Sequence, residues 1–451
     1  MRIKRLLPFF LALELLLSIE NVYATIFLND TNTYNYTAGD SYYTELNPIP
    51  PLVPLTITYR LSNVDLKGDA PMIAVLWDTN SETNLTGLGL SSEMVANGFG
   101  KITLITLADI TRYFHLTPQT LHLSPDISVW TISNIVISYI NTAETQASMQ
   151  YQASQLRSAF NTQTMAANFG LNYDCSVFDT KGLCVSAGGR YATIDNPGIN
   201  NSAAVVTLGY KVNPNIRIGA YLDQNINTSK PTGINISNNT PLMGLYAVLN
   251  KEQSGLGYQV RLANTYQEKD VTQTRSVFST SEAGSGKSSL KSQSYLAELS
   301  YAFQYEDKTL VRPYAGLRYT HLKQNSYTEA TSDSVTDPLT VAALKDRSAT
   351  ALLGVKVNRS LTDKATLTAQ LGLEQDLYHK VDNYSATDLN GSDLTAVAFN
   401  SNIKRTRPVA SLGAFYDVTK TQRASATLNY TQLPFQSTSS VTGYFNYTIG
   451  F

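Results

Sequence analysis

From about residue 183 to the end of the chain, apolar and polar side chains alternate with a two-residue period, in runs separated by Asn, Asp, Gly, Pro and Ser. Such a period places one face of each run on an apolar side and predicts β-strands. Twelve runs are read: 183–194, 202–212, 215–226, 242–252, 256–276, 290–306, 309–330, 348–361, 364–380, 405–419, 422–435 and 439–451. One phase, with Ala204, Val206, Leu208 and Tyr210, Ile216 to Leu222, Tyr295 to Tyr305, and Ala410 to Tyr416, carries no charge. The opposite phase carries Lys211, Arg217, Glu298, Arg312, Arg318, Lys356, Glu374 and Asp376 among small and polar residues.

Alternation alone fits a soluble sandwich as well as a membrane sheet. Three features favour lipid. The apolar phase ends in aromatics at the tips, such as Tyr210, Tyr266, Tyr305, Tyr319 and Tyr416, as interface girdles do. The runs reach the roughly 9–11 residues of a tilted bilayer crossing. The polar phase has too few charges for a freely solvated face but suits a crowded, wet lumen. Because hydrocarbon leaves no partner for a free backbone N–H or C=O, such a sheet must close on itself. The expected fold is therefore all-β, a 12-stranded antiparallel transmembrane barrel, with Arg217, Arg261, Glu298, Arg312, Arg318 and Glu374 on the lumen side. The last run, "SSVTGYFNYTIGF", places Val441, Phe445, Tyr447, Ile449 and Phe451 outward and Thr442, Asn446 and Thr448 inward.

Residues 143–169 break this rhythm. The segment holds no Gly or Pro and spaces Met149, Ala153, Leu156 and Phe160 by three and four, which predicts a helix. At 1.5 Å per residue it spans roughly 37 Å, enough to cross a barrel. Its small, polar surface fits a wet lumen; a surface helix on a soluble domain is the competing reading.

The N-terminus has a basic start (Arg2, Lys4, Arg5), an apolar run from Leu6 to Leu17 and a small-residue site ending at Ala24. This is the pattern of a secretory signal peptide over 1–24, since the run is too short for a spanning anchor and Glu14 interrupts it. Residues 25–142 then hold strand-like runs at Leu55–Leu61, Met72–Trp77, Lys101–Leu107 and Ile127–Ile140, consistent with one small β-rich domain without internal repeats. A net charge of -1 from 34 basic and 35 acidic residues gives no footprint for nucleic acid. An excess of Tyr (28) over Phe (15) suits positions where apolar and wet regions meet. The cysteines Cys175 and Cys184, an even pair in an exported chain, are expected to form a disulfide; a tetrahedral metal site would need four ligands, and no His is nearby.

The order of leader, exported segment, helix, "LNYDCSVFDTKGLCVSAGGRY", twelve strands and a terminal Phe resembles the monomeric autotransporters of Gram-negative outer membranes, which belong to type V secretion. The resemblance covers roughly residues 143–451 and is most specific at the Cys-bracketed hairpin, "VRPYAGLRYTHL" at Val311–Leu322, "RPVASLGAFYDV" at Arg407–Val418 and the terminal alternation. It implies a surface-exposed passenger over 25–142, a linker helix over 143–170 in the lumen, and a barrel domain over 171–451. It also implies that Phe445, Tyr447, Ile449 and Phe451 form an assembly signal read by the outer-membrane barrel-assembly machinery after escort by periplasmic chaperones. Outer-membrane lipid is the implied environment, and a host or cell-surface molecule the implied ligand of an adhesive passenger. The chain departs from the family in lacking a paired-Asn cleavage site in the helix, in the shortness of its passenger, and in Gly443, which stands one position early relative to the final aromatics.

Three motifs mimic chemistry. Gly39-Asp40-Ser41 resembles an esterase nucleophile but follows a polar stretch, and His115 and His122 have Arg112 and Gln119 where its partner motif Asp-x-x-His needs the acid; "GSGKS" at Gly284–Ser288 lacks the first Gly of a phosphate loop and reads as a loop between strands. His321 and His379 sit near strand ends without an obvious Ser or paired acid at readable spacing. No cofactor and no catalysis are expected. A barrel enzyme of protease or lipase type and a diffusion porin are the alternatives.

Overall fold

The computed structural model describes residues 26–37, 42–45, 54–62, 73–78, 85–90, 99–105, 113–118, 129–138 and 142–451, apart from 196–197, 238–239, 253, 279–280, 332–334, 336–337, 389–392 and 436–437. The leader expected over 1–24 and the Gly39-Asp40-Ser41 turn lie outside those residues.

The N-terminal portion forms two four-stranded antiparallel sheets. Its strands are β1 (Ile26–Thr37), β2 (Tyr42–Glu45), β3 (Pro54–Ser62), β4 (Ile73–Asp78), β5 (Leu85–Leu90), β6 (Phe99–Ile105), β7 (Tyr113–Pro118) and β8 (Val129–Ser138). One sheet runs β1-β8-β3-β6 and the other β2-β7-β4-β5. The four expected runs fall on β3, β4, β6 and β8. The sequence reading missed β1, β2, β5 and β7; the longest of these, β1, is rich in Asn and Thr and is specified by its pairing along β8 rather than by its own pattern.

Helix α1 (Thr142–Gly170) follows, matching the expected segment within one residue at each end. The rest of the chain is β9 (Leu183–Ile194), β10 (Ile199–Asn213), β11 (Ile216–Thr228), β12 (Ile234–Ile236), β13 (Leu242–Asn250), β14 (Gly257–Thr274), β15 (Ser285–Tyr305), β16 (Thr309–Gln324), β17 (Tyr327–Thr328), β18 (Thr340–Val341), β19 (Leu344–Ser360), β20 (Ala365–Val381), β21 (Ala386–Thr387), β22 (Thr406–Thr419), β23 (Gln422–Gln432) and β24 (Ser439–Gly450). Each long strand pairs antiparallel with its sequence neighbours, and β24 pairs with β9 from Ser440↔Ile194 to Gly450↔Cys184, so twelve strands close a barrel. The short β12 adds to β14, and β17, β18 and β21 form a small sheet in the loops. "GSGKS" is corrected from a loop to the start of a strand: Lys287 pairs with Thr272 and Ser288 with Val271.

The alternation expected of the wall is observed. Leu208, Tyr210, Leu222, Leu299, Tyr305, Leu412 and Tyr416 are exposed on the outside, and the alternate residues turn toward the lumen, buried in β10 and β15 and half-buried in β22. The seam is tight: Leu183 and Phe451 exchange backbone hydrogen bonds of 2.8 and 3.1 Å. A Cβ on Gly188 would sit 2.1 Å from the Phe445 carbonyl oxygen, so only glycine lets β9 and β24 approach there.

The two barrel ends differ. At one end tight turns join β10 to β11, β15 to β16 and β22 to β23; at the other, long connections join β16 to β19 and β20 to β22. Outer-membrane barrels place short turns toward the periplasm and long loops outside. α1 enters at the long-loop end, where Met149, Leu156 and Phe160 pack with Leu290, Leu322 and Tyr384, and finishes at the short-turn end, where Leu171 and Tyr173 pack with Tyr221 and Tyr246.

Candidate functional site

The barrel encloses the helix, so the functional site is the lumen and what holds the plug. Its upper half is a hydrophobic core rather than the wet lumen expected around the helix. Met149, Ala153, Leu156 and Phe160 are buried against Ile234, Val271, Leu339, Val341, Phe399 and Phe435. Phe160 meets the Phe399 ring edge-on at 5.0 Å, and Phe399 meets Phe435 at 5.8 Å. Arg157 donates to the carbonyl oxygens of Phe399 and Ala398. Long loops thus fold inward and seal the helix, which explains why a helix with a small-residue surface carries those four apolar side chains on one face.

The same loops carry a buried ion pair, Arg275–Glu329 at 2.5 Å, and Glu329 also accepts from the Leu339 N–H at 2.9 Å. Burial opposes the Arg275 charge, but the Glu329 hydrogen bonds and charge outweigh it and hold the guanidinium above its ordinary pKa. Tyr327 and Tyr384 bring their hydroxyls within 3.3 Å in this apolar setting. Burial pushes both phenols up, Tyr384 to about 12, so neither ionises near neutrality.

The lower half is polar. Arg190 from β9 pairs with Asp223 from β11 at 2.8 Å and reaches the Met165 sulfur of the helix at 3.8 Å, while the Tyr173 hydroxyl donates to Asp223 at 2.6 Å. Asn168 near the helix end lies within hydrogen-bond distance of the hydroxyls of Ser294 and Thr320, at 3.1 and 2.9 Å. Just past the helix, Arg261 donates to the carbonyl oxygens of Leu171 and Tyr173, and Arg217 pairs with Asp174 at 2.6 Å. Cys175 and Cys184 are joined in a disulfide, which ties this segment to the first residues of β9. The Tyr246 hydroxyl accepts from the Cys175 N–H and donates to the Leu208 carbonyl oxygen; its ring lies where a Cβ on Gly219 would come within 2.2 Å.

Beside the lower helix lies a cavity of about 600 Å³, lined by Met165, Asn168 and Phe169 on the helix side. All six residues assigned to the lumen face, Arg217, Arg261, Glu298, Arg312, Arg318 and Glu374, line it. Arg217 and Arg261 hold the segment after the helix, whereas the other four bond across the wall instead of to the helix. Lys356 pairs with Glu298 at 2.6 Å, Arg318 with Glu374 at 2.5 Å, and Arg312 donates to Gln259 and the Gly255 carbonyl oxygen. The contacts that do reach the helix, from Arg190 and the hydroxyls of Ser294 and Thr320, escaped the sequence reading because these residues are spread over separate strands.

Of the expected terminal signal, Phe445, Tyr447 and Ile449 lie on the lipid face of β24 and Phe451 directly follows the strand, with Phe445, Tyr447 and Phe451 exposed and Ile449 partly so. Neither candidate histidine is arranged for nucleophilic chemistry. The expectation that His379 has no paired acid is corrected: it is buried with Nδ1 2.7 Å from Asp376, three residues earlier on β20, and Nε2 2.8 Å from Asp346 on β19, so both ring nitrogens are engaged by carboxylates. His321 points outward. Among the described residues no group of three or more His, Cys, Asp or Glu side chains is placed to hold a metal ion.

Several solved structures are similar to part of this chain. The translocator domain of the autotransporter NalP from Neisseria meningitidis is 21% identical over 65% of this chain and 98% of its own, with a TM-score of 0.48. The β domain of the Bordetella autotransporter BrkA is 12% identical over 60% of this chain and 100% of its own, with a TM-score of 0.42. The transport unit of the autotransporter AIDA-I from Escherichia coli is 10% identical over 65% of this chain and 97% of its own, with a TM-score of 0.26. No curated protein matches the chain. The family description "Autotransporter beta-domain" matches residues 185–431, from the third residue of β9 almost to the end of β23. With more than half its length matched in this way, the chain is a member of the autotransporter β-domain family, an outer-membrane barrel.

Proposed function

We propose that the barrel over 171–451 anchors and translocates the N-terminal portion, residues 25–142, as a small passenger displayed at the cell surface, and that the passenger acts by adhesion or another surface interaction. One observation supports this most directly: α1 runs through the lumen with its N-terminus at the long-loop end, so whatever precedes it leaves the barrel on the outer side. The helix, sealed by loops above and held below by Arg190, by Arg261 just past its end, and by Ser294 and Thr320 through Asn168, is the retained end of that exported chain.

The work is conformational and topological, without a covalent step. Assembly machinery and periplasmic chaperones receive a strand ending in Phe445, Tyr447, Ile449 and Phe451, and lipid receives the outward face. Protease treatment of intact cells, followed by fractionation, tests the reading. Loss of residues 25–142 with the barrel protected in the outer membrane is expected. A passenger that stays intact until the outer membrane is broken, with the barrel correctly inserted, contradicts it.

A further inference from the structure

Four strands carry a register-matched lattice of cations outside the barrel. At the long-loop end, Tyr295, Tyr319, Ala349 and Tyr378 of β15, β16, β19 and β20 are cross-strand partners in one outward row. Two residues further along each strand the row reads Gln293, His321, Arg347 and Lys380. The next row reads Lys291, Lys323 and Lys345.

Cross-strand partners lie roughly 4.5–5.5 Å apart, and like charges placed directly opposite destabilise a sheet. Lys323 nevertheless stands between Lys291 and Lys345, and Arg347 beside Lys380. Only Lys291 has an acidic partner, Glu268 at 3.4 Å; among the described residues, Lys323, Lys345, Arg347 and Lys380 form no ion pair. The acids nearby are Glu268 and Asp270 on β14, Asp382 just past β20, whose N–H donates to the Lys345 carbonyl oxygen, and Asp346 between Lys345 and Arg347, which is buried toward the lumen and pairs with His379, so they flank the lattice or lie behind it. Two polar atoms inside it, His321 Nε2 and Arg347 Nε, are shielded from solvent and have no hydrogen-bond partner. Outward positions near the same ends of β9, β10, β11, β13 and β24, namely Thr193, Ser202, Ile226, Met243 and Val441, carry no charge.

The depth of the lattice fixes what it meets. Two strand residues above the tyrosine row correspond to about 7 Å along the strand, or about 5 Å along the membrane normal at a 45° tilt. That is the thickness of a headgroup layer. Below the tyrosines, Leu317, Leu353 and Leu373 are exposed to acyl chains. Repulsion retained at this level, unpaired donors and an apolar surface directly beneath are complementary to an anionic headgroup attached to acyl chains.

We propose that Lys323, Lys345, Arg347 and Lys380, with Lys291 and His321 at the edge, bind the phosphate groups of a phosphorylated glycolipid of the outer leaflet. This rests on the orientation of the barrel and not on what the passenger does.

The full chain, purified as a folded barrel, is equilibrated with lipid A, with dephosphorylated lipid A or with phosphatidylglycerol, and bound lipid is counted by native mass spectrometry. Wild-type protein is expected to retain lipid A about tenfold or more over the dephosphorylated form, and excess inorganic phosphate should not displace it. K323Q/K345Q/R347Q should lose that preference while migrating as a folded barrel and binding phosphatidylglycerol like wild type. Equal retention of the two lipid A forms, phosphatidylglycerol retained as well as lipid A, unchanged binding in the triple variant, or displacement by free phosphate would each overturn the proposal. The comparison of lipids on wild-type protein stands even if the variant fails to fold.

Discussion

Arg190 on β9 and Asp223 on β11 form an ion pair of 2.8 Å across the intervening strand β10, with side-chain exposures of 0% and 1%. Removing one partner leaves the other charge buried and uncompensated, which costs about 3–5 kcal/mol, whereas replacing both with apolar groups of similar volume is close to neutral. Asp223→Ala should therefore lower the melting temperature of the purified barrel by several degrees, and R190M/D223L by much less. Equal losses in the two variants would show that packing, not charge, dominates at this site.

The infolded loops make Phe160 the centre of the upper seal, at 0% exposure and in edge contact with Phe399 and Phe435. Truncating a buried Phe costs about 3–5 kcal/mol. Phe160→Ala should speed hydrogen exchange in α1 while leaving β9 to β24 protected. Uniform loss of protection would mean that the plug and the wall unfold together.

Cys175 and Cys184 close a loop of nine residues in sequence separation, which constrains the open chain by about 2–3 kcal/mol. Reduction should loosen the segment from Leu171 to Gly182 at the short-turn end and increase its protease sensitivity, with the barrel still resistant. Arg217 and Arg261 continue to hold Asp174 and the Leu171 carbonyl oxygen, so the helix should remain inside.

With the helix in place, the lumen is sealed above and half-filled below, so the intact protein should show little conductance in a planar bilayer. Deleting residues 142–170 should open steady channels, since the lining that remains includes Arg217, Arg312, Arg318 and Lys356 and is polar. High conductance from the intact chain would favour the porin alternative.

At the seam, Gly188→Val should prevent closure, because even a Cβ meets the Phe445 carbonyl oxygen at 2.1 Å and backbone cannot yield as a side chain does. The fraction of heat-modifiable, folded barrel on cold electrophoresis reads this out. Removing Phe451, which exchanges backbone hydrogen bonds with Leu183, should reduce assembly less severely.

The wall was legible because its two faces meet opposite solvents, so each strand writes its own alternation: Tyr295 to Tyr305 and Val441 to Phe451 need no partner to be read. The helix was legible from Met149, Ala153, Leu156 and Phe160, but its surroundings were not. Tyr384, Phe399 and Phe435 lie in connections without any period, and their infolding depends on where the barrel mouth brings them. The lumen residues Arg217 to Glu374 could be assigned a face, yet not a partner, since Arg190 finds Asp223, and Arg318 finds Glu374, only through strand register and the curvature of the closed sheet. The outward cations Lys323, Lys345 and Arg347 likewise form a lattice only once β16 and β19 are aligned.

The orientation of the chain through the barrel is tested most directly with single cysteines and a membrane-impermeant maleimide on intact cells, where the native pair, held as a disulfide, is silent. Thr33→Cys on β1, an exposed position of the N-terminal portion, should label at once, and Ser254→Cys in the turn between β13 and β14 only after the outer membrane is permeabilised. Labelling of Ser254→Cys on intact cells with Thr33→Cys protected would reverse the barrel and contradict export through it.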